Sequence, residues 1–580
     1  MPALSVLPTA HGLAVHAPGG GRILPWEVAQ ALLDDPGLVV QTAAIGDLSS
    51  WDIDRLLCAI AHGDPAVPAL FDRGEVERQR IQELRRQPRT WKATIDAGVI
   101  VGDLEAACCR AGLALPDGQP LMAVAAISLL MERAQGQLSV RERLRADHPW
   151  IGDAAWLSAS GHLAEMVVLE GARRDDIRRA VVPGALPVLQ LLAHPERFSA
   201  ARTEVRAAMQ AILTGTVRWN ERGHLALESE VGTQFAVAGA YLGLGVGGLH
   251  SADPPGVVAG PLWDLDVASY YPSLIASDSI SPPQLPDFPA RVRRLMERRL
   301  AAKRMGDQVA SNALKVVINS LYGQLGNHRS SLFSPADALR VVLTGQLRLL
   351  QLIEGCLDAG CRLVSANTDG VVVAGDPALA AQAWEAATGL TLERSGYQRL
   401  WRTSVNDYIA TGPDGRVAKA RGRFAGGEEE GEGARRSTAP IIARAAVERL
   451  VSGTPIAESI CASTAITDFA CWRHARDLLW GGVPVAGSVV RWVIGRGGTP
   501  LVQFTGGRPA ATIAQRAVRV VDPARIDVGI IDRSWYAAEA QDLVDKVLGT
   551  DQGAKQLSVF DPPDGQSADQ QARPGEATGR

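Results

Sequence analysis

The chain has 580 residues, 46% of them hydrophobic, and a formal net charge of −4. That length allows several domains with ample core, and the near-neutral sum excludes a uniformly basic or acidic protein while leaving room for the local basic patches that phosphate binding uses. No uncharged apolar run of about 18 residues occurs, and the start MPALSVLPTAHGLAVHAPGG lacks a basic-then-apolar leader, so the expectation is an unexported, cytoplasmic protein with no membrane partner.

The seven cysteines form no C-x-x-C pair, which points to reduced core thiols. Residues 1 to about 235 read as an α/β or mixed α+β domain of uncertain role. Apolar periodicity predicts helices over Glu27–Leu33, Leu121–Arg133 and Thr203–Leu213, with strands over Gly37–Gln41 and Gly98–Val101. Asp103-Leu-Glu105 follows an apolar run and reads as a helix start. The closely spaced glycines of Phe235–Ser251 suit strands that other backbone approaches closely. His250, with no second His or Cys at ligand spacing, reads as a hydrogen-bonded structural histidine.

Next, Trp263-Asp-Leu-Asp-Val-Ala-Ser-Tyr-Tyr-Pro reads as a strand that delivers Asp266 to its end, followed by a sharp turn over Ser269–Pro272. A carboxylate there is either solvated or a ligand for a hard cation. Arg291, Arg293, Arg294, Arg298, Arg299, Lys303 and Arg304 crowd one predicted helix. Lys315, Asn319 and Tyr322 recur at i, i+4 and i+7, so on a helix they share one face, and Gly323 lets that helix end or brings bare backbone near a ligand. After a long helical segment, Ser334–Cys356, the stretch from Leu363 to Val373 reads as a hairpin with Asp369 in or beside its turn.

A second hairpin turns at Gly-Pro-Asp-Gly within Asn406–Gly422. The acidic stretch Ala425–Gly433 reads as a flexible loop, and the polar tail from about Gln556 as disordered. Between them, Ile441–Ile460 and Asp468–Leu479 look helical, Val489–Ile494 strand-like and Trp535–Leu548 helical.

Three of these stretches, in this order, resemble motifs A, B and C of family B DNA polymerases: D-x-x-S-x-Y-P-S from Asp266, K-x-x-x-N-S-x-Y-G from Lys315, and the D-T-D-S hairpin around Thr368-Asp369. The lead-in G-V-G-G-L-H-S and the segment R-W-V-I-G-R-G-G-T-P-L are similar to those of phage and prophage members. Asn367 departs from the first Asp of motif C and Gly370 from its Ser. In the Asn406–Gly422 hairpin, Asn406 or Asp407 stands where K-x-Y has its Lys.

The resemblance implies an α+β right-hand polymerase. Its parts would be an N-terminal domain (1–235), palm (236–288 and 329–424), fingers (289–328), an acidic loop (425–436), a thumb-like region (437–550) and a tail (551–580). The N-terminal domain would be a degenerate exonuclease-like domain or a different DNA-binding fold. Only a D-x-E resembles an exonuclease motif and no Tyr precedes Tyr241, so proofreading is not expected. The short gaps between motifs also argue against terminal-protein priming.

By the same resemblance, Asp266, Asp369 and the Val267 carbonyl would hold two Mg²⁺ ions, with Mn²⁺ as a substitute. Arg299, Lys303 and Lys315 would meet the triphosphate, with Asn319 as a neutral donor. Tyr271 would exclude a 2′-hydroxyl, and Tyr322 and Gly323 would meet the nascent base pair. Thr368, Lys419 and Arg421 would contact DNA. Substrates are then dNTPs and primer-template DNA, in phage or prophage replication, with replisome partners unspecified. Two other readings stay open: a decayed DNA-binding scaffold, with Asn367 as its sign, and a primase-polymerase, since the N-terminal third is unexplained.

Overall fold

Gly256–Val267 is the longest strand of a nine-stranded antiparallel sheet, and its sequence shows how it is built. Leu262, Leu265 and Val267 are buried, and Pro261, which has no N–H to give a ladder, sits where the register shifts between Ala259 and Leu262. The structure, a computed structural model, describes residues 3–9, 12–17, 20–44, 50–63, 89–172, 177, 181–221, 225–226, 234–426, 436–505 and 508–549. Both the acidic loop and the tail fall mostly or wholly outside these.

Across the sheet the strands run in the order 417–421, 408–411, 392–402, 256–267, 370–374, 362–367, 248–251, 240–245 and 234–237. The long helix Pro335–Asp358 packs against its strands 248–251, 362–367 and 370–374, while the basic helix Phe288–Arg304 and the helix Gln308–Gly326 pack on each other. Ahead of it lies a five-stranded sheet in the order 20–24, 12–17, 3–9, 39–42, 93–96, antiparallel on one side and parallel on the other. Beyond it, a third sheet is built on the long hairpin Val489–Thr505 and Arg508–Arg519. The described chain is therefore α+β, and none of its described helices is long and apolar enough to cross a membrane.

One apolar core joins the first domain to the large sheet. Val124, Ile127 and Met131 of the helix Pro120–Arg133 belong to the same buried cluster as Val317, Ile318 and Leu321 of Gln308–Gly326 and as Leu265 and Val371 of the sheet. A second link is polar. Glu105 Oε2 accepts hydrogen bonds from the Ser488 N–H at 2.7 Å, the Ser488 hydroxyl at 2.8 Å and the Val489 N–H at 2.9 Å. Asp103 caps the helix Leu104–Ala111 through the Ala106 N–H at 2.8 Å, as expected for a helix start.

Several sequence expectations need correction. Gly98–Val101 is not a strand. The strand is Ala93–Asp96, and Asp96 turns the chain into a short helix, Ala97–Val101, by accepting from the Gly98 N–H at 2.7 Å. Ile441–Ile460 is two helices, because Gly453 adopts the left-handed C-cap conformation and Pro455 precedes a new start. Asp468–Leu479 is only one helical turn, Ile466–Phe469, before Cys471–His474 pairs with Val489–Trp492. There the long-range ladder outweighs a local helical pattern.

Glu105 accepts three of the hydrogen bonds that tie the first domain to the third sheet, beside the Asp117–Arg519 ion pair at 2.8 Å, so Glu105→Ala is expected to cost about 1–3 kcal/mol of stability. A lowered urea midpoint relative to the parent chain checks this.

Candidate active site

The register of the central strands assembles the site. Asp266 lies directly opposite Gly370, and the Val267 N–H donates to the Asp369 carbonyl at 2.8 Å. Asp266 and Asp369 thus come together from separate segments at the end of neighbouring strands, as the sequence led one to expect. A Cβ at Gly370 would stand 2.8 Å from Asp266 Oδ1 and 2.9 Å from the Leu265 carbonyl. The glycine that departs from motif C therefore makes room for the Asp266 carboxylate.

A cavity of about 240 Å³ opens here, lined among others by Asp253, Asp264, Asp266, Asn367, Asp369, Arg402, Lys419 and Arg421. Burial first, then the Asp369 and Asp264 carboxylates, push the Asp266 carboxyl up to about 6, with Lys419 pulling the other way. Asp369 is raised as well, chiefly by burial. Lys419 Nζ lies 3.0 Å from Asp264 Oδ2, which also accepts the Tyr397 hydroxyl at 2.7 Å. Burial pulls the Lys419 ammonium down, but Asp264, Tyr408 and Asp266 together outweigh it and hold the group above its ordinary range.

Asp264 was not singled out from sequence, although its spacing of two from Asp266 on a strand puts both on one face. The buried pair Asp253–Arg402, at 2.9 Å, and the Ser365 hydroxyl that donates to Asp253 at 2.5 Å left no local signal.

Thr368 is held in the hairpin turn by the preceding strand. Its N–H donates to the Leu249 carbonyl at 2.8 Å and its hydroxyl lies 3.0 Å from His250 Nε2. The glycine-rich lead-in thus anchors the turn, and His250 is hydrogen-bonded, as read. Burial lowers the affinity of His250 for a proton.

The chain turns after Asp266 at Ser269, not over Ser269–Pro272. Ser269 is left-handed (φ 48°, ψ 52°), and Tyr270–Ser277 is already helical with Pro272 in its first turn. A left-handed non-glycine residue costs about 1–2 kcal/mol, and Arg299 Nη1 fixes this one by donating to Ser269 Oγ at 3.0 Å. The Tyr270 hydroxyl donates to the Gly345 carbonyl at 2.6 Å, and a Cβ at Gly345 would meet the Tyr270 ring at 3.3 Å. Tyr271 is half-buried against Tyr322, with ring centroids 4.4 Å apart.

The helix Gln308–Gly326 shows Lys315, Asn319 and Tyr322 on one face as expected, but it continues through Gly323 and does not end there. Among the described residues, the side chains of Lys303, Lys315 and Asn319 are exposed and make no hydrogen bond or ion pair. The rest of the basic helix is not uniformly aimed at this site. Arg291 and Arg294 reach Glu170 at 3.1 and 2.8 Å, and Arg298 lies 3.8 Å from Asp147, so these arginines dock the helix on the first domain. Arg299 and Lys303, four residues apart, share a different face of it.

Among the described residues, no group of three or more His, Cys, Asp or Glu side chains is arranged to hold a metal ion. Two carboxylates from adjoining strands nevertheless fit the needs of Mg²⁺, which takes one or two carboxylates and completes its shell with phosphate and water.

No family model matches the chain, and no curated protein matches it. Among solved structures, the family B DNA polymerase from the hyperthermophilic archaeon Pyrobaculum calidifontis is similar over 97% of this chain and 79% of its own, with 15% sequence identity and a TM-score of 0.44. Likeness at that level carries no statement about chemistry.

The raised Asp266 carboxyl gives a pH prediction for the cation-free protein. A folded-state value above the unfolded one means that the stabilisation is full below about pH 4 and is lost as pH rises through about 6. Asp266→Asn is therefore expected to raise the melting midpoint in chelator at about pH 7.5 and to change it little at about pH 4.

Proposed function

We propose that this chain is a DNA-templated DNA polymerase that adds dNTPs to a primer 3′-hydroxyl by two-metal nucleotidyl transfer, in phage or prophage replication and without proofreading. The observation that carries the reading is the convergence of Asp266 and Asp369 on one cavity. Tyr271 feels the Asp369 charge and packs on Tyr322, and the helix that carries Tyr322 bears Lys315 and Asn319 on the same face. In this reading the nine-stranded sheet is the palm, the helices Phe288–Arg304 and Gln308–Gly326 are the fingers, and the third sheet with the helix Arg533–Leu548 belongs to the thumb.

Divalent cations bound at Asp266, Asp369 and the Val267 carbonyl would lower the pKa of the primer hydroxyl and offset charge on the phosphate in transfer. The chain supplies the rest. The two carboxylates, crowded and partly desolvated, favour a bound cation over mutual repulsion. Lys303 and Lys315 offer compact charges to the triphosphate, Asn319 a neutral donor, and Arg299 stays close through Ser269. Tyr271, braced by Tyr322, fills the space of a 2′-hydroxyl, while Tyr322 and the exposed Gly323 face the nascent pair. Arg421 and Lys419 line the cavity where primer-template phosphates would pass, with Lys419 shared with Asp264 and Thr368 in the adjoining turn.

Extension of a labelled primer on a single-stranded template with dNTPs and Mg²⁺ tests the reading. Asp369→Asn is expected to lower the rate by on the order of 10³-fold with primed-DNA binding retained. Binding without extension in Mg²⁺ or Mn²⁺ by the parent chain would leave the scaffold reading, and product from unprimed template would favour the primase-polymerase. In the same assay Tyr271→Ala is expected to raise ribonucleotide use relative to dNTP by about 10²-fold, because a lost steric block changes discrimination on that scale.

A further inference from the structure

Two of the places where the chain departs from the resembled motifs touch each other. Asn367 replaces the first Asp of motif C, and Asn406 lies where K-x-Y would begin. Asn367 Nδ2 donates to Asn406 Oδ1 at 3.2 Å, and Asn367 Oδ1 accepts from the Thr368 hydroxyl at 3.3 Å. Asp407, the other candidate for the lysine's ground, is committed elsewhere, to the Arg423 N–H at 2.8 Å and its guanidinium at 3.2 Å.

The charges of the cavity explain why the contact is neutral. Asp253, Asp264, Asp266 and Asp369 line it against Arg402, Lys419 and Arg421. Arg402 is taken by Asp253 at 2.9 Å and Lys419 by Asp264 at 3.0 Å. A further carboxylate at 367 would join a cavity already richer in acids than in bases, and its side chain points at position 406. A lysine at 406, facing an amide at 367, would lack the acid that its position calls for.

We infer that Asn367 and Asn406 are a coupled neutral pair, in which an acid at 367 would call for a base at 406, with Asn367 as a positioning residue that holds the Thr368–Asp369 turn. The inference rests on the polymerase reading for its catalytic consequence, but not for the coupling itself.

A double-mutant cycle on the full chain tests it, with Asn367→Asp, Asn406→Lys, the two together, and Asn367→Asp with Asn406→Gln as a neutral control. Two readouts are used, the melting midpoint and primer-extension kinetics. Asn367→Asp alone is expected to lower kcat by about 10-fold with the KM for dNTP within about 2-fold, since Asn367 acts through the turn and not on the nucleotide. Adding Asn406→Lys is expected to return kcat to within about 3-fold of the parent, while Asn406→Gln does not rescue. Midpoints should follow the same pattern. Additive effects in the double variant, rescue by Gln as good as by Lys, or no effect of Asn367→Asp on either readout would overturn the inference. If the parent extends no primer, the polymerase reading fails, and the melting cycle alone still decides whether the two positions are coupled by charge.

Discussion

The site depends on a backbone register. Asp266 opposite Gly370, with the Val267 N–H on the Asp369 carbonyl at 2.8 Å, is what turns two remote aspartates into neighbours. Side chains alternate along a strand, so a slip of one residue would turn Asp264 and Asp266 to the other face together and take the site apart. The chain guards the register from both sides. Leu265 and Val371 are buried in the shared core, and the strand Gly248–Ser251 pins the turn from the far side through Leu249 and His250.

That register creates an electrostatic problem, which the surroundings manage in layers. Asp266 and Asp369 are partly withdrawn from water and close to each other, and both hold protons more tightly than usual. Lys419 sits beside them on Asp264, and Arg402 is absorbed by Asp253. The excess negative charge thus remains on the two aspartates at the strand ends, which is where a hard cation gains most. The cationic helix is divided in the same spirit: one face is neutralised against the first domain through Glu170 and Asp147, and another presents Arg299 and Lys303.

Much of this was legible in the sequence because the signals were local. Lys315, Asn319 and Tyr322 needed only the helical period, Asp369 only the turn between two β-branched arms, and Asp266 only a strand end. What escaped was set by partners far along the chain. Cys471–His474 is a strand because Val489–Trp492 lies beside it, and the Asp253–Arg402 and Asp264–Lys419 pairs each join segments that no spacing rule connects. Ser269 escaped for a different reason: proline is the stronger turn signal in the sequence, whereas a left-handed serine held by Arg299 makes the turn. Glu105 looked like a helix start and is one, but its second role as a dock for Ser488 and Val489 needed the fold.

The central claim is that Asp266 and Asp369 form one cation site, and binding of Mn²⁺ followed by loss of its free-ion paramagnetic resonance signal tests it without any assumption about turnover. The account predicts that the parent chain with primed DNA and dNTP takes up Mn²⁺ and that Asp266→Asn and Asp369→Asn each remove that uptake. Equal uptake by the parent and both variants would contradict it.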